Sequence, residues 1–117
     1  EFEMWCYQFD DLVRAIRAVT GWDDFSLEEY RATGERLWLL KRALNNLMGV
    51  TRADDRLPAK ILTPLPDGAA AGIVPDEALL LGEYYAVRGL DETGRPLRAV
   101  LEEAGLAEVG AALYREA

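Results

Sequence analysis

A lone thiol and a scatter of carboxylates are the side chains with reactive potential in this sequence. Cys6 is the single cysteine and histidine is absent. The lack of histidine excludes Ser-His-Asp and Cys-His nucleophile arrangements and removes the commonest zinc ligand. One thiol permits no internal disulfide, which points to a reducing, cytoplasmic setting. Two roles are open to Cys6: a small buried hydrophobe, the usual place of a free cysteine, or a thiolate ligand of a metal or cluster. Three adjacent acidic pairs, Asp10-Asp11, Asp23-Asp24 and Asp54-Asp55, have the chemistry of metal or acid–base sites, but neighbouring positions on a helix do not face each other. Asp10-Asp11 suits a helix N-terminus, where negative charge is favoured. Asp23-Asp24 leads into a cap at Ser26, and Asp54-Asp55 stays open.

The elements that position these residues read as helices throughout. Phe9, Leu12, Val13, Ile16 and Val19 recur at three- and four-residue intervals, one helical stripe that Gly21 is placed to end. Ser26 stands three residues before Glu29, with Phe25 and Tyr30 around them, the signature of a capping box and hydrophobic staple. The helix they start is expected to run from Leu27 to Met48 with Gly49 as its stop. Its apolar centre, Leu37-Trp38-Leu39-Leu40, predicts burial on every side and a place at the middle of the fold. Gly34 inside it costs about 1 kcal/mol relative to alanine, which predicts a close approach, with Glu35 paired to a base such as Arg31 or Lys41. Residues 51–75 hold four prolines and two glycines and break the period, an irregular connection long enough to lie across another surface. Pro75 reads as a first-turn residue of a helix closing at Gly89, Pro96 opens another that stops at Gly105, and Leu106, Val109, Leu113 and Tyr114 make a last one. The expectation is an all-α, irregular bundle of about five helices around the Leu27 to Met48 helix.

Thirteen basic and twenty-one acidic side chains in 117 residues give a formal charge of −8, which repels a phosphate backbone and argues against nucleic-acid binding. The longest apolar runs are a few residues, far short of the ~20 that span a bilayer, so no membrane partner is expected. The chain opens Glu1-Phe2-Glu3-Met4 and is read as a fragment of something longer. Phe2, Met4, Trp5 and Phe9 form an apolar N-terminus expected to be covered in a parent chain and to drive self-association of the fragment.

Five segments in order resemble the C-terminal region of the tungsten-containing aldehyde ferredoxin oxidoreductases. They are Thr20-Gly21-Trp22-Asp23, then Gly34-Glu35-Arg36-Leu37-Trp38-Leu39-Leu40-Lys41-Arg42-Ala43-Leu44-Asn45, then Asp54-Asp55-Arg56-Leu57-Pro58. Tyr84-Tyr85-Ala86-Val87-Arg88-Gly89-Leu90-Asp91 follows, with Leu90 where the family has tryptophan, and Gly94-Arg95-Pro96 precedes Leu101-Glu102-Glu103-Ala104-Gly105-Leu106.

The resemblance implies that residues 1–117 are a single helical domain at the C-terminal end of an enzyme oxidising aldehydes to carboxylic acids. Such an enzyme holds tungsten, occasionally molybdenum, between two pterins beside a [4Fe–4S] cluster and passes electrons to ferredoxin. Glu1 to Cys6 has the spacing of the family's Asp-x-x-Gly-Leu-Cys motif, with Glu1 in place of the acid and Met4 in place of the glycine. By that motif Cys6 is the cofactor-binding residue, the fourth thiolate on the cluster metal. The other matched residues are expected to be scaffold. One cysteine cannot assemble a four-thiolate cluster, so the fragment alone is expected to hold no cofactor and to be inactive, its partners being the remaining domains of its own chain. The alternative is a free-standing, non-catalytic acidic helical interaction module.

Overall fold

The computed structural model describes residues 8–115. Along them run α1 (Phe9–Thr20), α2 (Leu27–Leu47), a 3-10 turn (Arg52–Asp54), α3 (Glu77–Arg88), α4 (Arg98–Glu103) and α5 (Ala107–Leu113). Among the described residues there is no strand, only isolated bridges at Leu65–Ala71 and Leu90–Pro96. The fold is all-α, as expected. The chain divides into two compact units, Glu1–Trp38 and Leu39–Ala117.

In the first unit, α1 starts where the Asp11 carboxylate accepts the Gln8 N–H at 3.0 Å. That backbone bond, with the Arg14 guanidinium paired to the same carboxylate, holds Asp11 below the usual range. The first acidic pair is therefore a helix start. Gly21 ends the helix in the left-handed conformation, its N–H bonded to the Arg17 carbonyl at 2.9 Å. Arg17 Nε donates to the Phe25 carbonyl at 2.6 Å. Phe25 is buried with its ring 4.8 Å from that of Trp22, and Val13 is buried on the inner stripe of α1. The Ser26 hydroxyl oxygen accepts the Glu29 N–H at 3.1 Å, the expected cap of α2.

In the second unit the core is Leu39, Ala43, Tyr85, Leu90, Leu101 and Leu113. Gly110, on α5, faces Leu101, on α4: a Cβ there would lie 3.5 Å from Leu101 Cδ1, so the two short helices meet at a small residue. Between the 3-10 turn and α3, residues 56–76 form the irregular connection, exposed along most of its length. The Gly72 N–H closes a turn onto the Leu65 carbonyl at 3.0 Å, and Glu77 Oε1 accepts the Leu57 N–H at 2.5 Å to tie its base to α3.

Two expectations need correction. Pro75 is not in the first turn of α3: Asp76 is the cap, its carboxylate accepting the Leu79 N–H at 3.0 Å, and a side-chain acceptor fixes the helix start more firmly than a prolyl ring does. α2 is long, but its apolar centre is not covered on every side. Leu39 is fully buried while Leu37 and Leu40 are 56% and 42% exposed, because α2 turns only one face fully inward.

Candidate functional site

The second unit gathers its polar side chains around Arg42. This residue sits one turn before the end of α2, on the same inner face as Leu39 and Ala43, so its guanidinium is carried inward by the helix that buries them. Nη1 and Nη2 donate to the two carboxylate oxygens of Asp55 at 2.9 and 2.6 Å. Nε donates to the Gly94 carbonyl at 2.7 Å, and Nη2 also reaches the Tyr85 hydroxyl at 3.2 Å. The Tyr85 hydroxyl in turn donates to Asp55. Arg52 lies over the Tyr85 ring, 4.2 Å from its centroid, in cation–π contact.

Each partner is delivered by a local device. The 3-10 turn is capped by Thr51, whose N–H donates to Asp54 Oδ2 at 2.8 Å, and the residue after it, Asp55, points at Arg42. Tyr85 is the one fully inward residue of α3. Gly94 closes a turn built on Asp91, whose Oδ1 accepts the Thr93 N–H, the Thr93 hydroxyl and the Arg95 N–H at 2.7–2.9 Å. At Gly94 φ is +88°, and a Cβ would collide with Arg42 Nη2 and lie 3.0 Å from the Tyr85 hydroxyl. Only glycine meets both demands.

The electrostatics decide what this cluster is for. Hydrogen bonding from Arg42, opposed by partial burial and aided by Tyr85, holds the Asp55 carboxyl below its usual value. Burial, then the neighbouring Asp55 carboxylate, pushes the Tyr85 phenol above its usual value of 10.0. Bonding to Asp55 keeps Arg42 firmly charged. Each of these three groups is shifted further from neutral pH than its ordinary value, which suits a structural tie and not the proton traffic of a general acid or base. It is a clasp that joins α2, the 3-10 turn, α3 and the Gly94 turn.

The third acidic pair is therefore divided between two structural tasks, Asp54 capping its own turn and Asp55 closing the clasp. An open cleft of about 670 Å³ adjoins them, lined by Asp54, Arg56, Leu57, Pro58, Ala59, Leu62 and Glu77. Its carboxylates are already engaged, Glu77 by the Leu57 N–H and Asp54 by Thr51. Among the described residues no group of three or more carboxylate, thiol or imidazole side chains is placed to hold a metal ion. No helix of the described residues is long and apolar enough to cross a membrane.

Cys6, the candidate ligand, lies outside the described residues, as do Phe2, Met4 and Trp5 of the apolar N-terminus. Phe9 is described; it is exposed, with its ring 6.0 Å from that of Tyr30. Among the described residues nothing makes the close approach expected at Gly34: a Cβ built there meets nothing within 4 Å. The clasp itself was missed by reading along the chain. The one trace of it in the sequence is that Arg42, Asp55, Tyr85 and Gly94 fall in four different matched segments, which are expected to be scaffold.

Residues 2–106 match a family described as aldehyde ferredoxin oxidoreductase, domains 2 and 3. The tungsten-containing aldehyde ferredoxin oxidoreductase of Thermococcus kodakarensis is 41% identical over 101 residues, 85% of this chain and 16% of the relative. The enzyme of the same name from Pyrococcus furiosus is 39% identical over 101 residues, with the same coverage of both chains. The aliphatic sulfonate oxidoreductase WOR-like subunit, also from Pyrococcus furiosus, is 32% identical over 108 residues, 86% of this chain and 17% of the relative. The chain thus spans about a sixth of the length of the relatives it matches.

Proposed function

The chain belongs to the aldehyde ferredoxin oxidoreductase family, and from that premise we propose that residues 1–117 form the C-terminal helical domain of a longer oxidoreductase. The whole enzyme oxidises aldehydes to carboxylic acids at a tungsten (or molybdenum) pterin centre. Electrons leave through a [4Fe–4S] cluster to ferredoxin. When bound, the pterin metal supplies the two-electron redox step and the cluster carries electrons away.

The residues described in this chain do not form a donor set for either group, so their part in the enzyme is architectural. Arg42, Asp55, Tyr85 and Gly94 tie four segments of the second unit together. Cys6 is the one residue of the chain with the chemistry of a cluster ligand, and we assign it one thiolate, the other three coming from the remainder of the polypeptide.

The observation that carries this reading is the match at about 40% identity over 101 residues, together with a family match over residues 2–106, the span in which every position of the clasp lies. The test is the encoding reading frame together with the full-length protein purified without oxygen. Several hundred residues upstream containing a Cys-x-x-Cys-x-x-x-Cys run, with tungsten or molybdenum and about four iron atoms per chain, are expected. A reading frame that holds only the helical domain would instead support the non-catalytic interaction module.

A further inference from the structure

The outward face of the C-terminal half of α2 carries Leu40, Leu44 and Leu47, and Met48 continues it in the turn that follows, its N–H bonded to the Leu44 carbonyl; they are 42%, 55%, 53% and 75% exposed. They recur at four- and three-residue intervals, so they line one side of the helix. The opposite side is already satisfied: Leu39 and Ala43 are fully buried and Arg42 is held by the clasp. A surface helix with its inner stripe packed normally shows charged or polar residues outward. Single exposed leucines need no explanation, but four large apolar side chains in one row make a contiguous patch.

We infer that this row is the seat of the remainder of the same polypeptide, an inference that rests on the family reading above. The relatives matched by this chain extend over roughly six times its matched length, so a body large enough to cover the row belongs to each of them. A second copy of the chain is the weaker occupant on two counts. Each copy carries a net charge of −8 and repels another. Four part-exposed side chains are also far fewer than the ~20–30 residues per partner of a stable complex between separate chains. A covalently tethered partner has no such threshold, because the tether holds it at high effective concentration.

Hydroxyl-radical footprinting of the full-length protein, with and without one substitution, tests this. Leu44 and Met48 are expected to oxidise about tenfold more slowly than in the same protein unfolded in guanidinium, as buried side chains do. Substituting Leu44→Gln is expected to raise Met48 oxidation several-fold while helical circular dichroism stays unchanged. Oxidation within about twofold of the unfolded rate would mean that the face is free and would overturn the inference. So would protection confined to a dimeric fraction and lost on dilution, which would assign the row to a second copy. Failure of the family reading is seen separately, as a full-length protein without pterin metal or cluster iron whatever the footprint.

Discussion

Arg42 and Asp55 meet as a two-pronged ion pair, both guanidinium Nη atoms on both carboxylate oxygens, with the side chains only 12% and 24% exposed. That geometry depends on the guanidinium fork. Lysine at position 42 keeps the charge but cannot span both Asp55 oxygens and reach the Gly94 carbonyl as well. Arg42→Lys is expected to cost about 1–3 kcal/mol in chemical denaturation, with Asp55→Asn in the same range. A double-mutant cycle between the two should return a coupling above about 1 kcal/mol. Strictly additive losses would mean that the pair is incidental.

The clasp also sets a pH window. Asp55 has a folded value below its unfolded one, so its contribution is complete above the unfolded value near ~3.9 and is lost as the pH falls through the folded value. Tyr85 is shifted the other way, so its contribution is complete below its unfolded value near ~10 and is lost as the pH rises through the folded value. Unfolding midpoints should be level between about pH 5 and pH 9 and fall on both sides. Tyr85→Phe should blunt the alkaline fall. Asp55→Asn should blunt the acid fall in part, because Asp91 is also held low, burial being outweighed by the Thr93 and Arg95 bonds.

Two glycines should respond in opposite ways to alanine. At Gly94 the new Cβ meets Arg42, Tyr85 and Arg52, and the backbone lies at φ +88°. Gly94→Ala should lose more than about 2 kcal/mol. Gly34 is helical with nothing within 4 Å of its Cβ position, so Gly34→Ala should stabilise the chain by about 0.5–1 kcal/mol. Thermal melts of the two variants beside the parent decide it: equal effects would mean that the space around Gly34 is filled.

Local signals in the sequence were the readable ones. Gly21 and Gly89 stop their helices, and the Ser26 oxygen caps α2, because each depends on a few consecutive residues. The displaced start of α3 came from two adjacent candidates, Pro75 and Asp76, of which the one with a side-chain acceptor prevailed. The clasp was beyond reach of periodicity. Arg42 lies 13, 43 and 52 residues from Asp55, Tyr85 and Gly94, and no short window contains a pair. The Leu37–Leu40 run shows a related limit: apolar residues on every side of a helix say that it wants neighbours, not that this stretch of chain supplies them, and Leu37 and Leu40 stay part-exposed beside a buried Leu39.

Cys6 carries the sharpest remaining test. A [4Fe–4S] cluster needs four thiolates, and this chain offers one. Anaerobic reconstitution of the 117-residue chain with iron and sulfide should therefore leave well under one tightly bound iron per chain, while the full-length protein holds about four. In the full-length protein, Cys6→Ala should remove the cluster's absorption near ~400 nm and reduce iron to three or fewer atoms. Cys6→Ser, whose alkoxide is a poorer ligand, should retain part of the iron at a shifted reduction potential, since the ligand set tunes the cluster. A purely buried cysteine would behave differently: Cys6→Ala would then keep four irons and an unchanged spectrum, losing at most about 1 kcal/mol of stability, and the ligand assignment would fail.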